Sequence, residues 1–111
     1  MTSIETTLYY ANWCGHCHNF MGEWEKFSKY VDNSKEKNGL TIKADKFEES
    51  AIRDQKPTIN GKDVRGFPTV KITVKNENGE KAEYEYNGKR TADDLIDHVT
   101  NHAANHFKKP N

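Results

Sequence analysis

The stretch Thr6–Cys17, which reads Thr-Thr-Leu-Tyr-Tyr-Ala-Asn-Trp-Cys-Gly-His-Cys, contains both cysteines of the chain. Its first half is rich in β-forming residues and predicts a strand over residues 4–11. Apolar side chains at the spacing of one helical face follow it: Phe20, Trp24, Phe27 and Val31. That spacing predicts a helix over about residues 14–34, so the two thiols lie at or in its first turn.

The start of a helix favours the ionised form of a cysteine. The first-turn N–H groups have no partner within the helix, and the helix dipole places partial positive charge there, so the pKa of a thiol falls. A thiol left at a pKa near 8.5 would be only about 3% ionised at pH 7. His16 lies between the cysteines and can favour the thiolate through its charge or a hydrogen bond. We therefore interpret Cys14 as the attacking sulfur, Cys17 as the resolving sulfur and His16 as a thiolate-stabilising residue.

Length and composition are those of one small domain. A chain of 111 residues can form a single core but not two, so we treat residues 1–111 as one domain. Seventeen basic residues balance seventeen acidic ones, which gives no electrostatic reason to expect binding to nucleic acid or to an anionic membrane. Apolar residues make up only 33%, but five Phe, five Tyr and two Trp in patterned segments favour a small folded core.

The cysteine count and the chain ends bear on the compartment. Two cysteines cannot form a network of structural disulfides. No apolar segment approaches transmembrane length, and residues 1–5 lack the basic and apolar regions of a signal peptide. Residues 108–111 are not an endoplasmic-reticulum retention signal. We therefore expect a cytoplasmic or other intracellular monomer, in which a close cysteine pair is catalytic or metal-binding.

The remaining patterns predict the other elements. A second strand covers residues 40–45, and a short helix at about 46–55 carries Phe47, Ala51 and Ile52 on its buried side. Two more strands, at 69–75 and 81–86, form a hairpin. The last helix starts at a capping residue and has this buried face: Thr91, then Leu95, Ile96, Val99, Ala103 and Phe107.

The order β-α-β-α-β-β-α predicts a small α/β domain. A four-stranded mixed sheet of order 2-1-3-4 would bury the apolar positions, with the third strand antiparallel to the first two and helices on both faces.

Three segments of the chain carry a resemblance to a known family. They are residues 9–17 (Tyr-Tyr-Ala-Asn-Trp-Cys-Gly-His-Cys), 65–71 (Arg-Gly-Phe-Pro-Thr-Val-Lys) and 86–95 (Tyr-Asn-Gly-Lys-Arg-Thr-Ala-Asp-Asp-Leu). Together they resemble the thioredoxin superfamily and, within it, the catalytic domains of protein disulfide isomerases. The resemblance implies a thioredoxin-like fold in a shortened, glutaredoxin-sized form, because only thirteen residues precede Cys14. It also implies a protein thiol–disulfide oxidoreductase with a reversible Cys14–Cys17 disulfide.

The same resemblance implies how substrate and electrons reach the site. In this family the proline of the Gly-Phe-Pro-Thr segment is cis, faces the dithiol and presents the preceding backbone to the substrate. Pro68 is thus expected to be cis, and Phe67 and Trp13 are expected to contact protein disulfide or dithiol substrates. No bound cofactor or metal is expected. A reductase or an oxidant would be the redox partner, with glutathione or a thioredoxin reductase as the electron source.

Two positions depart from the family pattern. A buried acid normally lies six residues before the first cysteine and assists proton transfer at the inner thiol, but this chain has Leu8 there. We expect Cys17 either to lose its proton slowly or to exchange it by another route, for instance through Glu5, Lys56 or water. The residue after the second cysteine is His18 where isomerase domains usually have Lys, and we interpret it as a solvated helix residue.

Two other functions stay open from the sequence. The short architecture and the Asp93–Asp94 pair at a helix start suggest a glutaredoxin-like enzyme that uses glutathione. A non-enzymatic metal-binding or interaction module could use the cysteines and histidines. His98, His102 and His106 recur at i, i+4 and i+8, which is also ligand spacing, although without acidic partners such a row is more typical of a polar helix flank.

Overall fold

The computed structural model describes residues 1–34, 36–37 and 39–108, with residues 36 and 37 described through their backbone. Residues 109–111, part of the C-terminal segment considered above for a retention signal, lie outside this description. The elements, in chain order, are β1 (Thr2–Tyr10), α1 (Gly15–Asn33), β2 (Glu36–Lys37), β3 (Leu40–Glu48), α2 (Glu49–Ile52), β4 (Thr58–Ile59), β5 (Lys62–Asp63), β6 (Thr69–Lys75), β7 (Lys81–Glu85) and α3 (Ala92–Asp97). None of the helices in these described residues is both long and apolar enough to span a membrane.

The main sheet has the order β2-β3-β1-β6-β7. Strand β3 is parallel to β1, while β6 is antiparallel to β1 and β7 to β6. The four predicted strands therefore have the predicted order and directions, and the α/β prediction is confirmed. Strand β2 adds a fifth member of two residues at the edge, antiparallel to β3. Glu36 and Lys37 show no strand-forming pattern, so β2 forms only because the edge of β3 lies next to these residues.

One face of the sheet is closed by α1 and α3; we call it the closed face. Alternation along the strands directs one set of side chains to this face, and apolar side chains of both helices pack against them. The fully buried members include Ile4, Leu8, Ile72, Val74, Trp24, Phe27, Leu95 and Val99. The apolar residues that recur along the helices and those that alternate along the strands thus pack together in a single core.

The other face has less cover; we call it the open face. Tyr9 and Phe47 stack on it with ring centroids 6.3 Å apart, beside the short α2. The Lys71 ammonium group donates to the Thr58 carbonyl oxygen of β4 at 2.8 Å and pairs with Glu83 at 3.2 Å. Helices therefore lie on both faces, as predicted, but the open face is held by polar contacts as much as by apolar ones.

The predicted helix over residues 46–55 is wrong in its first part. Residues 46–48 continue β3, and α2 begins only at Glu49. Phe47 lies opposite Tyr9 in the parallel register, and this pairing and ring stacking keep the segment extended. The β4–β5 hairpin that follows was not predicted beyond the turn at residues 60–61.

Candidate active site

The two cysteines form a disulfide at the start of α1, with their Cα atoms 5.2 Å apart. A turn from Ala11 to Cys14 ends β1, and it is closed by the Cys14 N–H, which donates to the Ala11 carbonyl oxygen at 3.1 Å. Cys14 is the N-cap residue of α1, and its Sγ accepts the Cys17 N–H at 3.1 Å. The sulfur therefore occupies the place where an unpaired first-turn N–H group stabilises negative charge.

The opposite wall of the site comes from the loop before β6. The Phe67–Pro68 peptide bond is cis. The Phe67 carbonyl oxygen lies 3.5 Å from Cys14 Sγ, although the two residues are 53 positions apart. The Thr69 hydroxyl donates to the Gly66 carbonyl oxygen at 2.7 Å and holds this loop in place. Antiparallel pairing of β6 with β1 brings the loop to the cysteines.

Aromatic side chains form the rim of the site. Trp13 is 71% exposed and meets the Phe67 ring edge to face, with centroids 5.9 Å apart. Its indole Nε1 donates to Glu49 Oε2 at 2.7 Å. Phe67 itself packs against the buried cluster of Ala11 and the two cysteines. The dithiol is therefore bordered by an apolar surface that is open to a partner.

The two histidines near the cysteines differ in their surroundings. His16 is exposed in the first turn of α1, between the cysteines. His18 is exposed on α1, as expected of a solvated helix residue, and its Nε2 also contacts the Asn12 carbonyl oxygen at 2.7 Å. The Asn12 N–H in turn donates to Glu48 Oε2 at 3.1 Å. The sequence did not predict these contacts, because the predicted second strand ended at residue 45. In the structure β3 extends to Glu48, which lies beside Tyr10 at the carboxyl end of β1.

The side chains packed around the cysteine pair belong to Ala11, Tyr10 and Phe67. Leu8 is 1% exposed in the core of the closed face, and Tyr10 packs beside the cysteine pair. Strand alternation places Glu5 on the open face, opposite to Leu8. Lys56 lines a cavity with Tyr9 on that open face as well. Neither of the two side chains considered as proton carriers therefore lies on the Leu8 side of the sheet.

The histidine row of the last helix lies away from the dithiol. A π-helical turn covers His98–His102, so the row does not follow one regular α-helix. The His98 ring is 2.6 Å from the Tyr84 hydroxyl, and His106 stacks on the same tyrosine ring. Burial lowers the pKa of His98, the positive charge of His102 adds to this, and Asp97 opposes it. In the part of the chain that the structure describes, no three His, Cys, Asp or Glu side chains converge on a metal position.

Comparison with known proteins agrees with this geometry. The model of the thioredoxin family matches residues 6–101. A protein disulfide-isomerase of Datisca glomerata is 37% identical over 91 residues, which cover 82% of this chain and 16% of that protein. The chain thus spans about a sixth of that relative's length.

Solved structures have the same fold. The first thioredoxin domain of mouse protein disulfide-isomerase A4 is 26% identical, with a TM-score of 0.62 over 96% of this chain and 68% of that one. Human ERp44 in its zinc-bound form has a TM-score of 0.65 at 18% identity, covering 87% of this chain and 25% of that one. The resemblance drawn from the three sequence segments is confirmed.

The expectation of a cytoplasmic location is wrong. The matched protein disulfide-isomerases are proteins of the endoplasmic reticulum and point to its lumen. The expectation depended on the ends of this chain, which carry no information on the compartment when the chain matches about a sixth of its relative's length. A reversible cysteine pair is as compatible with an oxidising compartment as with a reducing one.

Proposed function

The chain belongs to the thioredoxin family, and from this premise we propose that it is a protein thiol–disulfide oxidoreductase domain that works through Cys14 and Cys17. One observation carries the proposal: the disulfide lies at a helix N-terminus and faces a cis-proline loop, with Cys14 Sγ 3.5 Å from the Phe67 carbonyl oxygen. The site thus combines a stabilised sulfur with a backbone group that an incoming chain can meet.

In the reducing direction, the Cys14 thiolate attacks one sulfur of a substrate disulfide. A Cys14–substrate mixed disulfide forms, and the other substrate sulfur leaves as a thiolate. Cys17 then loses its proton and attacks Cys14 Sγ, which forms the Cys14–Cys17 disulfide and releases the second substrate sulfur. The substrate gains two electrons, the domain loses them, and the released thiolates take up protons from Cys17 and water.

The same steps in reverse donate the disulfide to a dithiol substrate. The first-turn N–H of Cys17, 3.1 Å from Cys14 Sγ, stabilises the leaving Cys14 thiolate in this direction. His16, exposed beside it, adds positive charge when protonated. Stabilising the thiolate favours the reduced state of the domain and so makes the disulfide a stronger oxidant.

Trp13, Phe67 and Pro68 are the substrate-contacting residues of this proposal. An exposed indole and a neighbouring phenyl ring offer an apolar surface to a protein segment that carries the reacting sulfur. Glutathione or a reductase would return electrons to the domain, and an oxidant would remove them.

Reduction of insulin disulfides and oxidation of a dithiol peptide test the proposal. We expect the Cys14→Ser variant to lose both activities, and the Cys17→Ser variant to accumulate a mixed disulfide with substrate that mass spectrometry detects. A Cys14→Ser variant with full activity would overturn the proposal. Running the assay with glutathione alone and with a thioredoxin reductase system identifies the electron source.

A further inference from the structure

The turn between β1 and α1 is held by side chains from outside it. Asn12 and Trp13 are its two central residues, and Cys14 follows directly. The Asn12 N–H donates to Glu48 Oε2 at 3.1 Å, and the Asn12 carbonyl oxygen is 2.7 Å from His18 Nε2. Because a carbonyl oxygen only accepts, His18 Nε2 carries the hydrogen of this bond.

Glu48 connects this turn to the start of α2. One carboxylate oxygen accepts the Ser50 N–H at 2.8 Å and also the Ser50 hydroxyl, while the other accepts the Asn12 N–H. Bonds from the Ser50 hydroxyl, the Ser50 N–H and the Asn12 N–H lower the pKa of Glu48, so it is ionised at neutral pH. The turn is therefore tied on one side to α1 and on the other to the end of β3.

We propose that His18 and Glu48 are positioning residues of the dithiol site, which hold the two backbone groups of Asn12 so that Cys14 Sγ stays at the Cys17 N–H and opposite the Phe67 carbonyl oxygen. The proposal rests on the redox function proposed above. Glu49 accepts the indole N–H of Trp13 and so holds this side chain at the rim of the site.

The physical need for these contacts is greatest in the reduced state. While the disulfide is closed, a covalent bond sets the distance between the two sulfurs. When it opens, the position of Cys14 depends on the turn before it and on its backbone bond to α1, and a thiolate gains from a first-turn N–H only at hydrogen-bond distance. Loss of the His18 contact should therefore destabilise the reduced form more than the oxidised form.

The charges of Glu48 and Glu49 cannot provide this stabilisation. Negative carboxylates near a thiolate disfavour its ionised form. Their contribution must come through the hydrogen bonds that they accept, and this makes geometry, not charge, the property to test.

The test compares His18→Leu, which removes the donor, with His18→Gln, which keeps an N–H donor without a titrating ring. We expect His18→Leu to shift the equilibrium of the Cys14–Cys17 disulfide with glutathione about fivefold toward the oxidised protein, the ratio that one ordinary hydrogen bond supplies. The pKa of the Cys14 thiol, followed by thiolate absorbance, should rise. His18→Gln should restore both quantities, and kcat for a disulfide peptide should fall in His18→Leu with KM unchanged.

His102→Leu is the matched control, because His102 is an exposed histidine of the last helix. It should leave the glutathione equilibrium and the thiol pKa unchanged. If His18→Leu does not fold, Glu48→Ala compared with Glu48→Gln provides the second test: both lose the charge, only Glu48→Gln keeps an acceptor, and Glu48→Ala should differ from Glu48→Gln in the same direction as His18→Leu differs from wild type.

Equal equilibrium constants in wild type and His18→Leu would overturn the proposal. So would a His18→Gln variant that behaves like His18→Leu, since the donor would then not be the cause. These two equilibrium measurements need no protein substrate. A wild-type domain with no activity toward insulin or dithiol peptides would therefore contradict the proposed function and leave the positioning proposal to be decided by its own readouts.

Discussion

The closed and open faces of the sheet are stabilised in different ways. The closed face buries Trp24, Phe27 and Leu95 against the strands, and each is at most 1% exposed. The open face relies on the Tyr9–Phe47 stack and on the Lys71–Glu83 ion pair, and Phe47 is 42% exposed. The difference indicates that the closed face supplies most of the folding free energy, because burying apolar side chains stabilises a fold more than a partly solvated ion pair does.

The dithiol lies where these two layers meet. His18 belongs to α1 of the closed face, while Glu48 and Glu49 lie where β3 passes into α2 of the open face. The turn before Cys14 is bonded to both. A change on either face can therefore reach the cysteines, but through different contacts.

Truncation of one large side chain on each face gives the largest expected difference. Trp24→Ala should lower the free energy of unfolding by about 3–5 kcal/mol, because it leaves a cavity in the closed core. Phe47→Ala, the matched change on the open face, should cost less than about 1.5 kcal/mol, since much of its ring already contacts water. Urea unfolding of the oxidised protein measures both, and equal losses would contradict the contrast between the faces.

Replacing Leu8 of the closed face by an acid should lower the stability of the fold and raise the rate of substrate release. Leu8→Glu introduces a carboxyl group at the position where the family pattern has a buried acid, and burial should raise the pKa of this carboxyl group. We expect a loss of about 2–4 kcal/mol that grows as pH rises above about 4.3, because the charged form is then favoured only in the unfolded chain. We also expect faster release of substrate from the mixed disulfide, since in the family pattern a carboxyl group at this position assists proton transfer at the inner thiol.

Leu8→Gln is the control, because it has the same size but does not titrate. Stopped-flow measurement of mixed-disulfide resolution compares the two variants at pH 7. Equal rates in Leu8→Gln and Leu8→Glu would show that no proton acceptor is needed at this position.

The smallest expected effect is a difference in the pH range over which a titrating side chain on each face contributes to the free energy of unfolding. On the β7 side of the last helix, burial lowers the pKa of His98, so its contribution is complete above about pH 6.5 and is lost as pH falls toward the folded pKa. Tyr84, Tyr86, His102 and Asp97 surround this ring. His98→Gln should flatten the stability curve between pH 7 and 5.

The open face should respond at lower pH. The Asn60 N–H bond, followed by the Lys71 bond, lowers the pKa of Glu83, so its contribution is present above about pH 4.3 and is lost as pH falls through the folded pKa. Glu83→Gln should therefore change the curve only in this lower range. Thermal unfolding across pH 3–8 measures both variants, and a His98→Gln curve parallel to wild type would contradict the first expectation.

Much of the fold was predictable because its signals are local. The apolar spacing of Phe20, Trp24 and Phe27 follows from the helical period, and all three are buried where the pattern placed them. Residues 69–75 alternate without interruption and form β6 with the predicted bounds. The neighbours of Phe47 allow either a helix or a strand, and only pairing with Tyr9 decides between them.

The candidate site divides in the same way. The cysteine pair, its position at a helix start and the disulfide could be predicted from contiguous residues. Glu48 and Glu49 could not, because their role depends on the parallel register of β3 with β1, 36 positions away from the residues that they bind. His18 was visible only as a departure from the usual Lys, and its partner could not be predicted, since an exposed histidine in a first turn has many possible partners.

By itself, the sequence determined that a strand runs into a helix carrying two thiols at its start, because periodicity and the helix dipole act over a few neighbouring residues. Tertiary structure alone decided what surrounds those thiols. Pairing of β1 with β3 and β6 brought Glu48 and the Phe67 carbonyl group to the turn, and it buried Leu8 in the core of the closed face with Glu5 on the opposite face. These contacts join residues far apart in the chain, and they exist only after the sheet has set its register.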